Sequence, residues 1–155
     1  MTSDWRLAGR WPNITLTLLR IVAGLMFMQH GAMKLWGLFL PPGMPAMPSI
    51  KPFTQLWFAS ILELGGGFLV AAGVFTRPVA FLLAGEMSVA YFQVHAKQGF
   101  FPAQNQGELA VLYCFIFLVF AAIGGGRFSV DHLFARSHVS RSHEEVQELS
   151  EVGSG

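Results

Sequence analysis

The sequence predicts an all-α integral membrane protein, a four-helix bundle with a short N-terminal segment and an amphipathic or disordered C-terminal tail. Three observations carry that expectation. Hydrophobic residues make up 53% of the chain and charged residues only 12%, against about 25% charged in a typical soluble domain. Four apolar segments each reach the roughly 17–25 residues that a spanning helix needs. None of the four has the polar face that a soluble bundle would require.

The first span is expected from about Ile14 to Leu40. The prolines of "LPPGMPAMPSIKP" end it, because they lack the amide proton a helix interior uses. The second runs from about Phe53 to Phe75 and is joined by the short "TRP" turn to the third, Pro78 to His95. "AKQGFFPAQNQ" leads to the fourth, Gly107 to Ile123, which "GGGR" closes. The domain plan is therefore 1–13, a four-helix unit over 14–126, and a tail over 127–155. Within the tail, "SHEEVQELSEV" carries a capping box, Ser142 with Glu145, and an apolar edge of Val146 and Leu149. Met1 to Pro12 lacks the features of a cleaved signal peptide.

Positive residues orient the bundle. Arg6, Arg10, Arg77, Arg127, Arg136 and Arg141 fall on one side, and Lys51 and Lys97 on the other. The positive-inside rule then places both termini in the cytoplasm of a bacterial inner membrane. The composition names the lipid bilayer as the first partner. A net charge of +1, with no basic cluster, gives nucleic acid no surface to bind. A single cysteine, Cys114, excludes an internal disulfide and a C-x-x-C redox pair.

The charges inside the spans are the functional signal. With each span centred on the bilayer, Glu63 and Glu86 lie within about 3 Å of the mid-plane, His30 about 5 Å from it and Lys34 about 10 Å. His95 and Glu108 fall near the depth of Lys34, and Arg20 lies about 10 Å toward the other surface. A lone charge at the centre costs at least about 2.5–3.5 kcal/mol, so these groups are expected to meet inside the bundle. On a helical wheel Arg20, His30 and Lys34 share one stripe, edged by Gly24 and Gly31. Glu63 shares a face with Gly66 and Gly67, and Glu86 lines up with Gln93. Ser88, Tyr91 and His95 form a second stripe, nearly opposite Glu86.

Two readings follow. In one, the cluster is packing glue, with Lys34 satisfying Glu63 or Glu108. In the other it is a polar pocket opening outward, with His30 and Lys34, one helical turn apart, as one wall. Arg20 alone suits a structural role, because a guanidinium can snorkel. Haem ligation by His30 and His95 suffers from their unequal depths. A metal site made of Glu63, Glu86, Glu108 and His30 lacks the Glu-x-x-His pairs of di-iron bundles, so no metal is expected. The methionines are ordinary filler for apolar helices.

The stretches "LRIVAGLMFMQHGAMKLWG", "LELGGGFLVAAGVFTRPVAFLLAGEMSVAYF" and "NQGELAVLYCFIFLVFAAIGGGRFSVDHL" resemble the DoxX family of small bacterial four-helix membrane proteins. The similarity covers about Leu19 to Leu133. It implies an inner-membrane protein, and family members are described as oxidoreductase-like or as membrane subunits of redox systems. By matching, Arg20, His30, Gly31, Lys34, Glu63, Gly66 and Glu86 carry the family's positions.

The sequence thus supports two expectations. The first is a redox subunit holding a quinone-like molecule, with His30, Lys34, Glu63 and Glu86 as the reactive set. Arg20, Gly31, Gly66, Gln93 and Glu108 complete its pocket. No flavin or nicotinamide fingerprint is present, so electrons would come from a soluble or membrane redox partner. The second is a non-catalytic anchor, assembly factor or small-solute transporter whose buried charges are structural. Self-association through the Ser88 stripe stays open in both.

Overall fold

A computed structural model describes residues 10–43, 45 and 50–135, and among these every regular element is a helix. Helix α1 spans Arg10–Trp36, α2 Gln55–Ala72 and α3 Thr76–Ala90. Helix α3 runs on through a wide turn at Tyr91–His95 and a tight one at Ala96–Gln98. A four-residue helix α4, Pro102–Asn105, precedes α5, Glu108–Ile123. The "SHEEVQELSEV" segment lies outside the described residues.

Helix α1 starts four residues earlier than the sequence suggested and stops at Trp36, because Gly37 turns left-handed with φ 68°. Among the described residues three helices are long and apolar enough to cross a membrane, and α5 is an apolar helix of 16 residues. At 1.5 Å per residue α5 covers only about 24 Å. The loop before it therefore lies close to membrane depth. Irregular backbone is tolerated there only where protein satisfies its polar groups. Asn105 does this: buried, it donates to the Gly99 carbonyl at 2.6 Å and accepts from the Gly107 N–H at 2.8 Å.

The helices pair as α1 with α2 and α3 with α5. Glycine explains the first pairing. A Cβ on Gly24 would fall 2.6 Å from the Gly67 carbonyl oxygen, and one on Gly31 would fall 2.6 Å from that of Ser60. Only small residues let two backbones approach so closely, and this packing drives association where lipid removes the hydrophobic gain. Between the pairs lies a core of Phe27, Val70, Leu83, Met87, Tyr113, Phe117 and Phe120. Large apolar side chains point the other way: Phe81 is 64% exposed and Phe115 63%. Those faces suit hydrocarbon, since a water-soluble monomer rarely exposes so much contiguous apolar surface.

The chain after Arg127 folds back on the bundle. Asp131 accepts from the backbone N–H of Phe75 at 2.7 Å and of Thr76 at 2.9 Å. It thereby caps α3 from 55 residues away. Helix α3 has no local cap, because Phe75 is left-handed with φ 46°. A carboxylate at that position satisfies orphan donors and complements the helix dipole.

Candidate functional site

The polar cluster forms where α1 ends. Lys34, in the last turn of α1, donates from Nζ to Glu63 Oε1 at 2.6 Å. The lysine side chain is 24% exposed and the glutamate 2%. The ammonium thus lies nearer the surface and reaches down to a carboxylate sealed in the bundle. The second oxygen, Glu63 Oε2, has no hydrogen-bond partner. Neither oxygen of Glu86 on α3 has one, and the charges of Glu63 and Lys34 both act on that residue. On α5 the buried Tyr113 hydroxyl is likewise unpartnered. An unsatisfied buried polar atom costs about 1–3 kcal/mol, so four in one place call for an explanation.

Two cavities adjoin the cluster and share Lys34, Glu63, Met87 and Ala90. The smaller, about 200 Å³, is bounded by His30, Lys34, Glu63, His95 and Tyr113, with Phe27 and Leu109 among its apolar walls. The larger, about 530 Å³, lies between α2 and α3. Glu86, Gln93 and Gln55 supply its polar groups, and Leu56, Phe58, Leu62, Leu82 and Val89 supply apolar wall. Gln55 donates to Gln93 at 2.7 Å and ties the two helices there.

Helix α3 serves both spaces from opposite faces, and the wide turn at Tyr91–His95 lies beside them. Glu86 and Gln93 line the cavity facing α2, while Tyr91 packs in the core with Ala110 and Tyr113. His95 lines the small cavity with His30. Single wide turns inside helices re-aim side chains and recur at functional sites. His95 Nδ1 lies 3.0 Å from the Asn105 carbonyl oxygen. A carbonyl only accepts, so Nδ1 carries the proton in this contact. His30 meets the Tyr113 ring edge-on, with centroids 6.1 Å apart.

The structure brings His30, Lys34 and Glu63 together at the small cavity and Lys34, Glu63, Glu86 and Gln93 at the larger one. Four residues proposed from sequence for the pocket line neither. Gly31 is closed against the Ser60 carbonyl, at the contact between α1 and α2. Gly66 is closed the same way by Leu83, whose Cδ2 would lie 2.7 Å from an added Cβ. Glu108 is exposed in the first turn of α5, where the helix dipole already favours a carboxylate, and Lys34 pairs with Glu63 instead.

Arg20 lies at the opposite end of the bundle. It donates to the Val70 carbonyl at 3.1 Å and to the Phe128 carbonyl at 2.8 Å. Gly73, with φ 75°, leaves the space the guanidinium fills. Arg20 is therefore a pin among α1, the C-terminal end of α2 and the returning chain. At that end burial works to raise the Asp131 carboxyl, but hydrogen bonds from Thr76 and Phe75 and the Arg20 charge hold it below its ordinary value.

Tyr113 and Asn105 escaped the sequence reading. Tyr113 carries the one hydroxyl within the otherwise apolar α5, and a buried tyrosine oxygen normally finds a partner. That was the available signal.

The family model described as DoxX matches residues 15–96. An uncharacterized protein of Haemophilus influenzae is 41% identical over 122 residues, which is 77% of this chain and 90% of that protein. A second uncharacterized protein of the same organism is 26% identical over 144 residues, 90% of this chain and 95% of the relative. No solved structure matches.

Proposed function

This chain belongs to the DoxX family, and from that premise we propose that it is the membrane subunit of a redox system and binds a quinone-like molecule beside Lys34 and Glu63. One observation carries the reading. Glu63 Oε2, both Glu86 oxygens and the Tyr113 hydroxyl are buried without partners, beside cavities large enough for a ligand. A quinone head needs donors for two carbonyl oxygens, and its tail needs an apolar channel. The Lys34 ammonium and the Tyr113 hydroxyl are the donors, and the apolar wall between α2 and α3 takes the tail. Reduction consumes two electrons and two protons. Glu63 and Glu86 supply a route for the protons, and a redox partner supplies the electrons. In this reading the Lys34 end faces outward and both termini are cytoplasmic, as the arginine bias favours.

The short Lys34–Glu63 ion pair favours a second reading, in which the cluster is packing glue in an anchor, assembly factor or small-solute transporter. Ion pairs and polar contacts do hold membrane helices together. That role accounts for the pair but not for the bare carboxyl of Glu86. The test is mass spectrometry of solvent extracts from protein purified in mild detergent, followed by titration with a short-chain quinone read by tryptophan quenching. Co-extracted quinone and saturable quenching support the proposal. No quinone and no saturation would sink it, and loss of a partner's membrane attachment on deleting the protein would then favour the anchor.

A further inference from the structure

The other end of the bundle holds a cleft of about 610 Å³ between the α2–α3 turn, the end of α5 and the returning chain. Its cationic and imidazole groups are Arg77, Arg127 and His132. Arg77 and Arg127 are exposed, and among the described residues neither side chain makes a hydrogen bond or an ion pair. The one carboxylate in the wall, Asp131, already accepts from two backbone amides and lies beside Arg20. Its charge is committed, and it also occupies the start of α3, so an anion entering the cleft must bind through side chains.

Arg77 lies against the glycine run, and among the described residues no counter-charge pairs with it. Gly124 has φ 87°, and a Cβ there would fall 3.3 Å from Arg77 Nε. Gly125 is closed more tightly, 2.7 Å from Thr76 Oγ1. The glycine run thus lets the start of α3 and its arginine lie against the end of α5. Apolar Leu16 and Ile123 share the wall, and Ile123 is 58% exposed. Two guanidiniums with no partner among the described residues, at the end of spanning helices and beside an apolar wall, match a phosphate joined to acyl chains.

We propose that this cleft is a binding site for the phosphate group of an anionic glycerophospholipid. Arg77 and Arg127 clasp the phosphate oxygens, His132 adds a polar contact, and the acyl chains leave past Leu16 and Ile123. The site is separate from the Lys34 cluster and does not depend on the function proposed for it.

The experiment is native mass spectrometry of the full chain in mild detergent, with phosphatidylglycerol, phosphatidylcholine or inorganic phosphate added. The wild type should retain one phosphatidylglycerol, and phosphatidylcholine should be lost at much lower activation. Each arginine near a membrane surface is worth about a fivefold change in affinity, so R77Q/R127Q should bind about 25-fold more weakly. Both side chains are exposed, so this variant should keep the wild-type circular dichroism. The single variant R127Q gives the same comparison if the double one does not fold, and R77K/R127K should recover most of the binding. Equal retention of the two lipids, or undiminished phosphatidylglycerol binding by R77Q or R127Q variants, would overturn the proposal. Displacement of phosphatidylglycerol by millimolar inorganic phosphate would assign the cleft to free phosphate and overturn the lipid assignment.

Discussion

Lys34→Met removes the ammonium from a glutamate that is 2% exposed and 2.6 Å away. At an effective dielectric constant of 20, two unit charges at that distance attract by about 6 kcal/mol before desolvation is counted. Breaking a buried pair from one side leaves the other charge uncompensated and costs about 3–5 kcal/mol. Glu63→Gln is expected to cost less, about 1–3 kcal/mol, because the lysine is partly exposed and its flexible stem can turn to water or headgroups. Lys34→Met with Glu63→Gln should then be more stable than the sum of the two losses by at least about 2 kcal/mol. The assay is unfolding by sodium dodecyl sulfate in mixed micelles, followed by circular dichroism, for all four corners of the cycle. Additivity within about 0.5 kcal/mol would mean that the two groups do not interact, and the reading of the cluster as a coupled charge network would fall.

Tyr113→Phe deletes a buried hydroxyl that has no partner. Stability should stay level or rise by about 1 kcal/mol, while quinone affinity falls by about tenfold if the hydroxyl donates to the ligand; a large loss of stability would show a hidden partner. Gly31→Leu forces bulk into a 2.6 Å contact with the Ser60 carbonyl and should cost about 1–3 kcal/mol in the same unfolding assay, whereas an unchanged midpoint would refute the close α1–α2 approach. Asp131→Asn should cost about 1 kcal/mol as a weakened cap. Because the folded Asp131 carboxyl is held low, its contribution is full above the unfolded value near pH 4 and disappears as pH falls through the folded value, so the wild type alone should lose this increment at acid pH. Reporter fusions at Gly43 and Gln104 should read periplasmic and a fusion at Ser137 cytoplasmic; reversed readings would invert the proposed orientation.

The spans were legible because hydrocarbon leaves a compositional mark that needs no tertiary information. Lys34 and Glu63 were also legible as partners in one reading, since charges at such depth must meet. Choosing Glu63 over Glu108 needed the helix register, and depth estimated span by span does not supply it. Gly24 lies against Gly67 and Ala71, and Gly31 against Ser60 and Leu64. That antiparallel register sets Glu63 level with His30, one turn or about 5 Å below Lys34. The lysine therefore reaches inward. Regular 3.6-residue periodicity put His95 nearly opposite Glu86, and the structure keeps the two apart, with Glu86 at the larger cavity and His95 at the smaller. The wide turn at Tyr91–His95 leaves no signature in the residues themselves. Asp131 capping α3 is a contact across 55 residues, and no local rule reports it.

The two ends of the bundle show what separates glue from a binding site. Arg20 holds the carbonyls of Val70 and Phe128, Asp131 holds the amides of Phe75 and Thr76, and Gly73 is shaped to the guanidinium. At this end the Arg20 Nε and the Thr76 hydroxyl are left without a partner, while both oxygens of Asp131 have one. These charges close on backbone groups that the folded chain itself leaves open, which is how a structural cluster offsets its burial. At the Lys34 end one ion pair forms, yet Glu86 has both oxygens bare and Tyr113 has a bare hydroxyl. Packing alone would favour apolar residues of the same shape at those two positions, since replacing unsatisfied polar groups inside a membrane bundle removes a cost and loses no contact. A ligand with its own donors and acceptors reverses that balance. Glu86 and Tyr113 are thus the residues on which the binding proposal and the packing alternative part, and Tyr113→Phe separates them by moving stability and affinity in opposite directions.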